Sequence, residues 1–301
     1  MKYRLLAGLA ALSLNSLAMA ADTYIVDMKG PAAGNPYWAA FAEGAMAEGV
    51  KLGVNVKVIS PPSETDIQSQ ISQIEDSVAQ KVAGIALAPT DPNALAPAVD
   101  AARAAGVNVV FVDGAGTNKG VPFIGTNNLQ GGKLGGSYMC KKMAPGSEVA
   151  ILQGVMSTTN GADRYNGAKQ ALEACGMKVV AAQPADWDRA KAQSVTETIL
   201  AGHPNIKGIF GSNDNMALGA VEALKEAAKL KSVLVVGYDA NPDAAKSILA
   251  GEMSASVAQA PKEMAALGIK ALVDMKAGKK VAMVTDPGTV LVTKENAEKY
   301  K

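Results

Sequence analysis

Short apolar runs alternate with amphipathic helical patterns along almost the whole chain, and this alternation constrains the fold more than any single motif. Residues 23–27 form a β-branched strand, and 36–52 a helix in which Pro36 suits the first turn. Val56 and Val58 alternate with polar residues in a strand at 55–60. Ile67, Ile71, Ile74 and Val78 place one apolar face on a helix at 65–80. Strand 84–88, helix 93–105, strand 108–112 and a short strand 123–125 follow. A second series then runs through helix 129–143, strand 148–153, helix 160–175, strand 178–183 and helix 189–201. Strand 206–210 leads into a helix marked by Ala217, Val221 and Leu224, and strand 232–238, helix 242–249, strand 255–258 and helix 261–277 come after it. Two short strands near Val281 and Val290 are left over. Strict strand–helix alternation predicts an α/β fold of parallel βαβ units with right-handed crossovers.

In open α/β sheets ligands bind outside the carboxyl ends of the strands. Polar side chains recur at those places. Lys29 and Asn35 follow the first strand, Asp113 follows Val109 to Val112, Asp239 follows Tyr238, and Gln259 follows Ala258. Ser212, Asn213 and Asp214 stand together between strand 206–210 and its helix. Asn213 offers both donors and an acceptor to a hydroxyl, whereas Asp214 by itself reads as a helix cap. Arg164, early in a helix, opposes the helix dipole and so is not placed there for local stability. Aromatic residues make up only 4% of the chain, so the position of each carries information. Tyr37, Trp38 and Trp187 lie in loops or first turns. Each offers a flat apolar face with a polar edge, the anatomy that matches a sugar ring; core packing is the alternative reading.

Residues 1–20 read as an export leader: Lys2 and Arg4, an apolar stretch to Leu17, then Ala18-Met19-Ala20, with cleavage expected after Ala20. Removing them leaves 27 basic and 28 acidic side chains, a balance that does not point to nucleic acid. The expected product is exported and monomeric. Cys140 and Cys175 are the only cysteines; in an oxidising compartment they either pair or remain two buried thiols. Two cysteines and the single His203 make no metal site, and no cofactor is expected.

Catalytic motifs are not found. Gly114-Ala115-Gly116-Thr117-Asn118-Lys119-Gly120 has its third glycine one place late and is followed by a strand, not the helix of a dinucleotide site. Gly131-Gly132-Lys133-Leu134 lacks the Ser/Thr and upstream Gly of a phosphate loop. There is no G-x-S-x-G elbow, and the lone histidine leaves acid–base chemistry without an agent. The expectation is a binding protein, not an enzyme.

Four segments carry a family resemblance: Asn35-Pro36-Tyr37-Trp38, Gln183 through Arg189, Ser212 through Ala220, and Val236-Gly237-Tyr238-Asp239. In the same order, over nearly the whole chain after the leader, they resemble the periplasmic ribose- and allose-binding proteins. The resemblance implies the periplasmic binding protein type I fold: two Rossmann-like lobes with parallel sheets, joined by three hinge crossovers. It implies lobes of residues 21–126 plus 260–286 and 127–259 plus 287–301. It further implies capture of a monosaccharide or sugar alcohol in the cleft and delivery to an ABC transporter's membrane permease in the periplasm. A sugar-sensing ligand for a membrane chemoreceptor or sensor kinase is the alternative. A sugar-responsive repressor of the same fold needs a DNA-binding headpiece where the leader stands.

Carried over residue by residue, Lys29, Asn35, Tyr37 and Trp38 would reach the ligand from the first lobe. Asp113 would hold hydroxyls, and Arg164 would reach in from the second lobe. Trp187 would stack on the ring, and Asn213, Asp239 and Gln259 would complete the polar set. The family pattern also implies the Cys140–Cys175 disulfide. Ribose binders follow the aspartate with an arginine, whereas Gly114 stands here. The resemblance therefore implies one cation fewer and more room, open to hexoses, other pentoses and sugar alcohols.

Overall fold

The computed structural model describes residues 21–301, so the leader lies outside the described residues. Strands β1 (Thr23–Asp27), β2 (Asn55–Ile59), β3 (Gly84–Leu87), β4 (Asn108–Val112) and β5 (Phe123–Ile124) belong to the first series. Helices α1 (Pro36–Leu52), α2 (Ile67–Ala79) and α3 (Ala96–Ala104) connect them. The second series comprises α4 (Asn128–Lys142), β6 (Glu148–Gln153), α5 (Thr159–Ala174), β7 (Lys178–Pro184), α6 (Arg189–Gly202) and β8 (Gly208–Gly211). It continues through α7 (Asp214–Glu226), β9 (Leu234–Asp239), α8 (Pro242–Ala250), β10 (Ala255–Ala258), α9 (Pro261–Lys276), β11 (Val284–Thr285) and β12 (Val290–Val292).

These strands build two six-stranded sheets, ordered β11-β5-β4-β3-β1-β2 and β12-β10-β9-β8-β6-β7. Each sheet therefore reverses its winding beside its own first strand, between β1 and β3 and between β6 and β8, where α/β sheets open a crevice. The first sheet is parallel throughout. In the second only β12 runs antiparallel, against β10. The two leftover strands thus go one to each sheet. β11 sits at Val284, three residues past the expected Val281, because its pairing with β5 aligns Val284 with Phe123.

The helices cover both faces of each sheet, so alternate residues of one strand enter different cores. Tyr24 and Val26 pack with Trp38, Phe41, Met264, Ile269 and Leu272. Ile25 between them packs with Ile85, Leu87, Val99 and Phe111 on the opposite face. In the second sheet Leu152 joins Ile209 and Val235, while Ile151 joins Phe210, Val236 and Tyr238.

Two helices begin later than their periodicity predicts, and in both cases an aspartate is the cause. Asp66 accepts from Ser69 N and makes Ile67 the first helical residue of α2. Asp91 accepts from Asn93 N and Ala94 N and holds those residues in a turn ahead of α3. Cys140 in α4 and Cys175 just after α5 are joined by a disulfide, with Cα atoms 6.1 Å apart. The chain passes between the sheets at Gly125–Asn127, at Gln259–Ala260 and at Asp286–Thr289. No helix among the described residues is long and apolar enough to cross a membrane.

Candidate functional site

Between the two sheets lies a narrow cavity of about 30 Å³, and the side chains that wall it come from the carboxyl ends of strands in both halves. From the first sheet come Lys29, Asn35, Tyr37, Trp38, Glu64 and Asp113; from the second come Asn160, Arg164, Trp187, Asn213 and Asp239. Nine of the ten residues expected from sequence are in this wall. Gln259 is not, and its Nε2 donates instead to Asp239 Oδ1 at 2.6 Å.

Backbone geometry aims these side chains. Asp113, Asp186, Trp187, Asp239 and Ala240 account for five of the seven non-glycine residues with left-handed φ among the described residues. Such conformations cost of order 1–3 kcal/mol each and persist where the surrounding structure imposes them. Here they turn the chain sharply at strand ends, so that Asp113 and Asp239 face across the cavity.

Asp113 is a buried carboxylate with three protein donors. Tyr37 Oη donates to Oδ1 at 2.7 Å, while Lys29 Nζ at 2.6 Å and Asn160 Nδ2 at 2.9 Å approach Oδ2. Burial pushes its pKa up, but Lys29, Tyr37 and Arg164 more than offset that, and the carboxyl lies below the usual range. Burial, together with the same carboxylate, holds the Tyr37 phenol well above its usual value, so it stays a donor.

Arg164 lies in the second turn of α5. Its Nε donates to Asn128 Oδ1 at 2.8 Å and Nη1 to the Ser212 carbonyl at 3.0 Å, with Asp239 Oδ1 at 3.4 Å. The Tyr238 ring centroid lies 3.9 Å from its guanidinium carbon, a cation–π stack. Burial works against its charge, yet Asp239 and Asp113 outweigh burial and hold the guanidinium protonated. Burial pushes Asp239 up to about 7 against the pull of Arg164 and Gln259. Asp214 lies deeper and is not part of the wall. It accepts from Ser256 Oγ at 2.6 Å and Asn241 N at 2.7 Å, and burial beside Asp239 raises its pKa well above normal.

The capping role falls on Asn213, not Asp214: Asn213 Oδ1 accepts from Met216 N at 2.9 Å and Nδ2 donates to the Trp187 carbonyl at 3.3 Å. Asn35 likewise caps α1 through Tyr37 N while lining the cavity. Core packing and site lining prove compatible for the aromatics. Trp38 belongs to the first half's core and donates from Nε1 to Glu64 at 2.7 Å. Trp187 belongs to the second half's core, yet its buried Nε1 has no hydrogen-bond partner.

Sequence reasoning missed two members of the wall, Glu64 and Asn160. Both follow strand ends, β2 and β6, where the same rule about carboxyl edges applied. Burial raises the Glu64 pKa, with Lys29 and Trp38 opposing. The space expected beside Gly114 is not open: Asn160 and Lys29 fill it from both sides.

Comparison with known proteins agrees with this architecture. The family model described as periplasmic binding protein domain matches residues 28–280. The D-allose-binding periplasmic protein of Escherichia coli (strain K12) is 40% identical over 296 residues, covering 94% of each chain. The ribose import binding protein RbsB of the same strain is 34% identical over 285 residues, again with 94% of each covered. A crystal structure of an ABC transporter periplasmic solute binding protein from Actinobacillus succinogenes 130z, with bound D-allose, superposes with a TM-score of 0.87 at 30% identity. It covers 93% of this chain and 100% of that one. The match of fold, strand-end geometry and sequence places this chain in the periplasmic binding protein family.

Proposed function

We propose that the protein captures one uncharged monosaccharide or sugar alcohol between its two halves and hands it to the membrane permease of an ABC importer in the periplasm. The observation that carries this reading is the walled cavity between the strand ends of both sheets. Its charges are already matched within the protein, Lys29 with Asp113 and Arg164 with Asp239. A phosphate or carboxylate on the ligand would have no cation left to neutralise it, whereas hydroxyls can add to charged groups that still have free donor or acceptor positions. Both tryptophans border the cavity and supply apolar faces for C–H groups.

In this reading residues 21–126 with 260–286 and residues 127–259 with 287–301 are hinged lobes, and the three passages between the sheets are the hinge. Ligand stabilises the closed arrangement by contacts it makes only there. Asp113, Arg164, Asn213 and Asp239 hold hydroxyls, Trp187 lies against the ring, and Gln259 acts through Asp239. The leader is removed after Ala20. The ligand leaves chemically unchanged, and the relatives bear the names of sugar-binding proteins, one of them an import binding protein. No observation favours the receptor-ligand alternative.

Hydroxyls bound to charged side chains each contribute roughly 1.5–3 kcal/mol, offset by ordering and desolvation. A dissociation constant in the micromolar range or tighter, about −8 kcal/mol, follows. A thermal-shift screen over aldoses, ketoses and polyols identifies the ligand, because binding to the folded form raises Tm. Asp113→Ala and Asn213→Ala are each expected to weaken that ligand by roughly 2 kcal/mol or more, with the fold retained. Titration calorimetry showing unchanged affinity in both variants would refute the site, and a new product by mass spectrometry would refute the transport reading.

A further inference from the structure

The two halves touch each other directly at one corner of the cavity. Lys29 Nζ donates to Asn160 Oδ1 at 3.0 Å, and Asn160 Nδ2 donates to Asp113 Oδ2 at 2.9 Å. Beside them Ala115 N donates to Thr159 Oγ1 at 3.1 Å. Lys29, Asp113 and Ala115 follow strands of the first sheet, whereas Thr159 and Asn160 open α5 on the second. These are protein-to-protein bonds across the cleft. Lys29, Asp113 and Asn160 are each at least 97% buried. Their partners fix the orientation of the Asn160 amide, since turning it over would set its NH2 against an ammonium and its oxygen against a carboxylate.

Gly114 makes this approach possible. A Cβ there would lie 3.0 Å from Asn160 Oδ1, 3.6 Å from Thr159 Oγ1 and 3.7 Å from Lys29 Nζ. The turn that presents Asn160 is itself fixed: Thr158 Oγ1 donates to the Val155 carbonyl at 2.7 Å and accepts from Gly161 N at 3.1 Å. The contacts also limit what Asp113 has left to offer. A carboxylate has about four acceptor positions, and three are filled by Tyr37, Lys29 and Asn160, so a single one, on Oδ1, remains.

We propose that Asn160 is a cross-cleft latch: through Asp113, Lys29 and the Gly114–Ala115 turn it fastens the two halves with the protein's own hydrogen bonds, and Gly114 is the residue that admits it. Part of the free energy of closure then comes from the chain and not from the ligand. The apparent dissociation constant is the intrinsic one divided by the closed fraction. A latch therefore scales the affinity of every ligand by one common factor, whereas a group that touches the ligand scales different ligands differently. The inference rests on the two-lobed binding reading for its first test and is independent of the ligand for its second.

In the full-length mature protein, Asn160→Ala is expected to raise the dissociation constants of D-allose, D-ribose and other bound aldoses and polyols by the same factor, roughly five- to tenfold. Single-molecule energy transfer between dyes on the two halves of the ligand-free protein should show the closed fraction falling by that same factor. Gly114→Ala should weaken binding in the wild-type background and much less in Asn160→Ala, because the second change removes what the new methyl meets. Unchanged affinities would overturn the latch, as would factors that differ more than about threefold among ligands, the mark of a direct contact. An unchanged closed fraction in the ligand-free variant would also overturn it. If the wild-type protein binds no sugar or polyol, the transport reading fails, and the ligand-free closed fraction alone decides the latch.

Discussion

Asp239 is the carboxyl in this cleft whose charge is most evenly contested. Burial pushes it up to about 7 while Arg164 and Gln259 pull it down. Only its ionised form accepts a ligand hydroxyl through either oxygen, so below pH 7 binding must first displace a proton. The expected result is a dissociation constant that rises by up to about tenfold per unit of acidification below pH 7 and levels off above it. Titration calorimetry in two buffers of different ionisation heat checks both the slope and the proton released, and Asp239→Asn should abolish the slope. For the ligand-free protein the sign is the reverse. A carboxyl raised in the folded state adds stability that is complete below its unfolded pKa near 4 and is lost as pH rises through about 7. The ligand-induced rise in Tm should therefore widen from pH 5 to pH 8.

The residues most legible in the sequence were those at or just past the end of a strand, as Asp239 and Asp113 are. Asn160 was not, because nothing in its own segment shows that Gly114, 46 positions earlier, lies opposite it. Gln259 also follows a strand end, but its Nε2 donates to Asp239 Oδ1, a pairing that its position in the sequence does not reveal.

Among the elements, the pair α4 and α5 leaves little room for change. A Cβ at Gly167 would sit 2.2 Å from the Leu129 carbonyl, and one at Gly132 would sit 2.4 Å from the Arg164 carbonyl. Backbone meets backbone there, and a side chain cannot swing aside. Gly167→Val should destabilise the protein by roughly 3 kcal/mol. Because α5 carries Asn160 and Arg164, ligand affinity should fall with it. Urea unfolding and calorimetry on the same sample separate the two effects; full stability in this variant would contradict the packing described. Alternation along the chain predicted every one of these elements, since apolar period is a local property. Helix starts were less legible, because Asp66 and Asp91 decide them through side-chain bonds that hydrophobic period does not register. The helix–helix fit was invisible, since glycine in a helical pattern reads only as a weak helix former.

At the scale of the whole molecule, the disulfide and the cleft are independent. Both cysteines belong to the second half, at the ends of α4 and α5 remote from the cavity wall. Replacing both by serine opens a link between positions 35 apart and should cost about 3–4 kcal/mol of stability, with the ligand's dissociation constant unchanged. Chemical denaturation of the oxidised, reduced and serine forms checks this, and loss of affinity on replacement would show that the halves are coupled through it.

The three passages between sheets have a consequence for how the chain is made. Helix α9, whose Met264, Ile269 and Leu272 cover one face of the first sheet, is encoded after all of the second half except β12 and the residues that follow it. A nascent polypeptide halted at residue 260 would hold Tyr24, Phe41 and Val112 without the partners that bury them. It would remain open to chaperones and proteases until translation is almost finished, which is the pliant condition a secretion channel needs in the chains it threads.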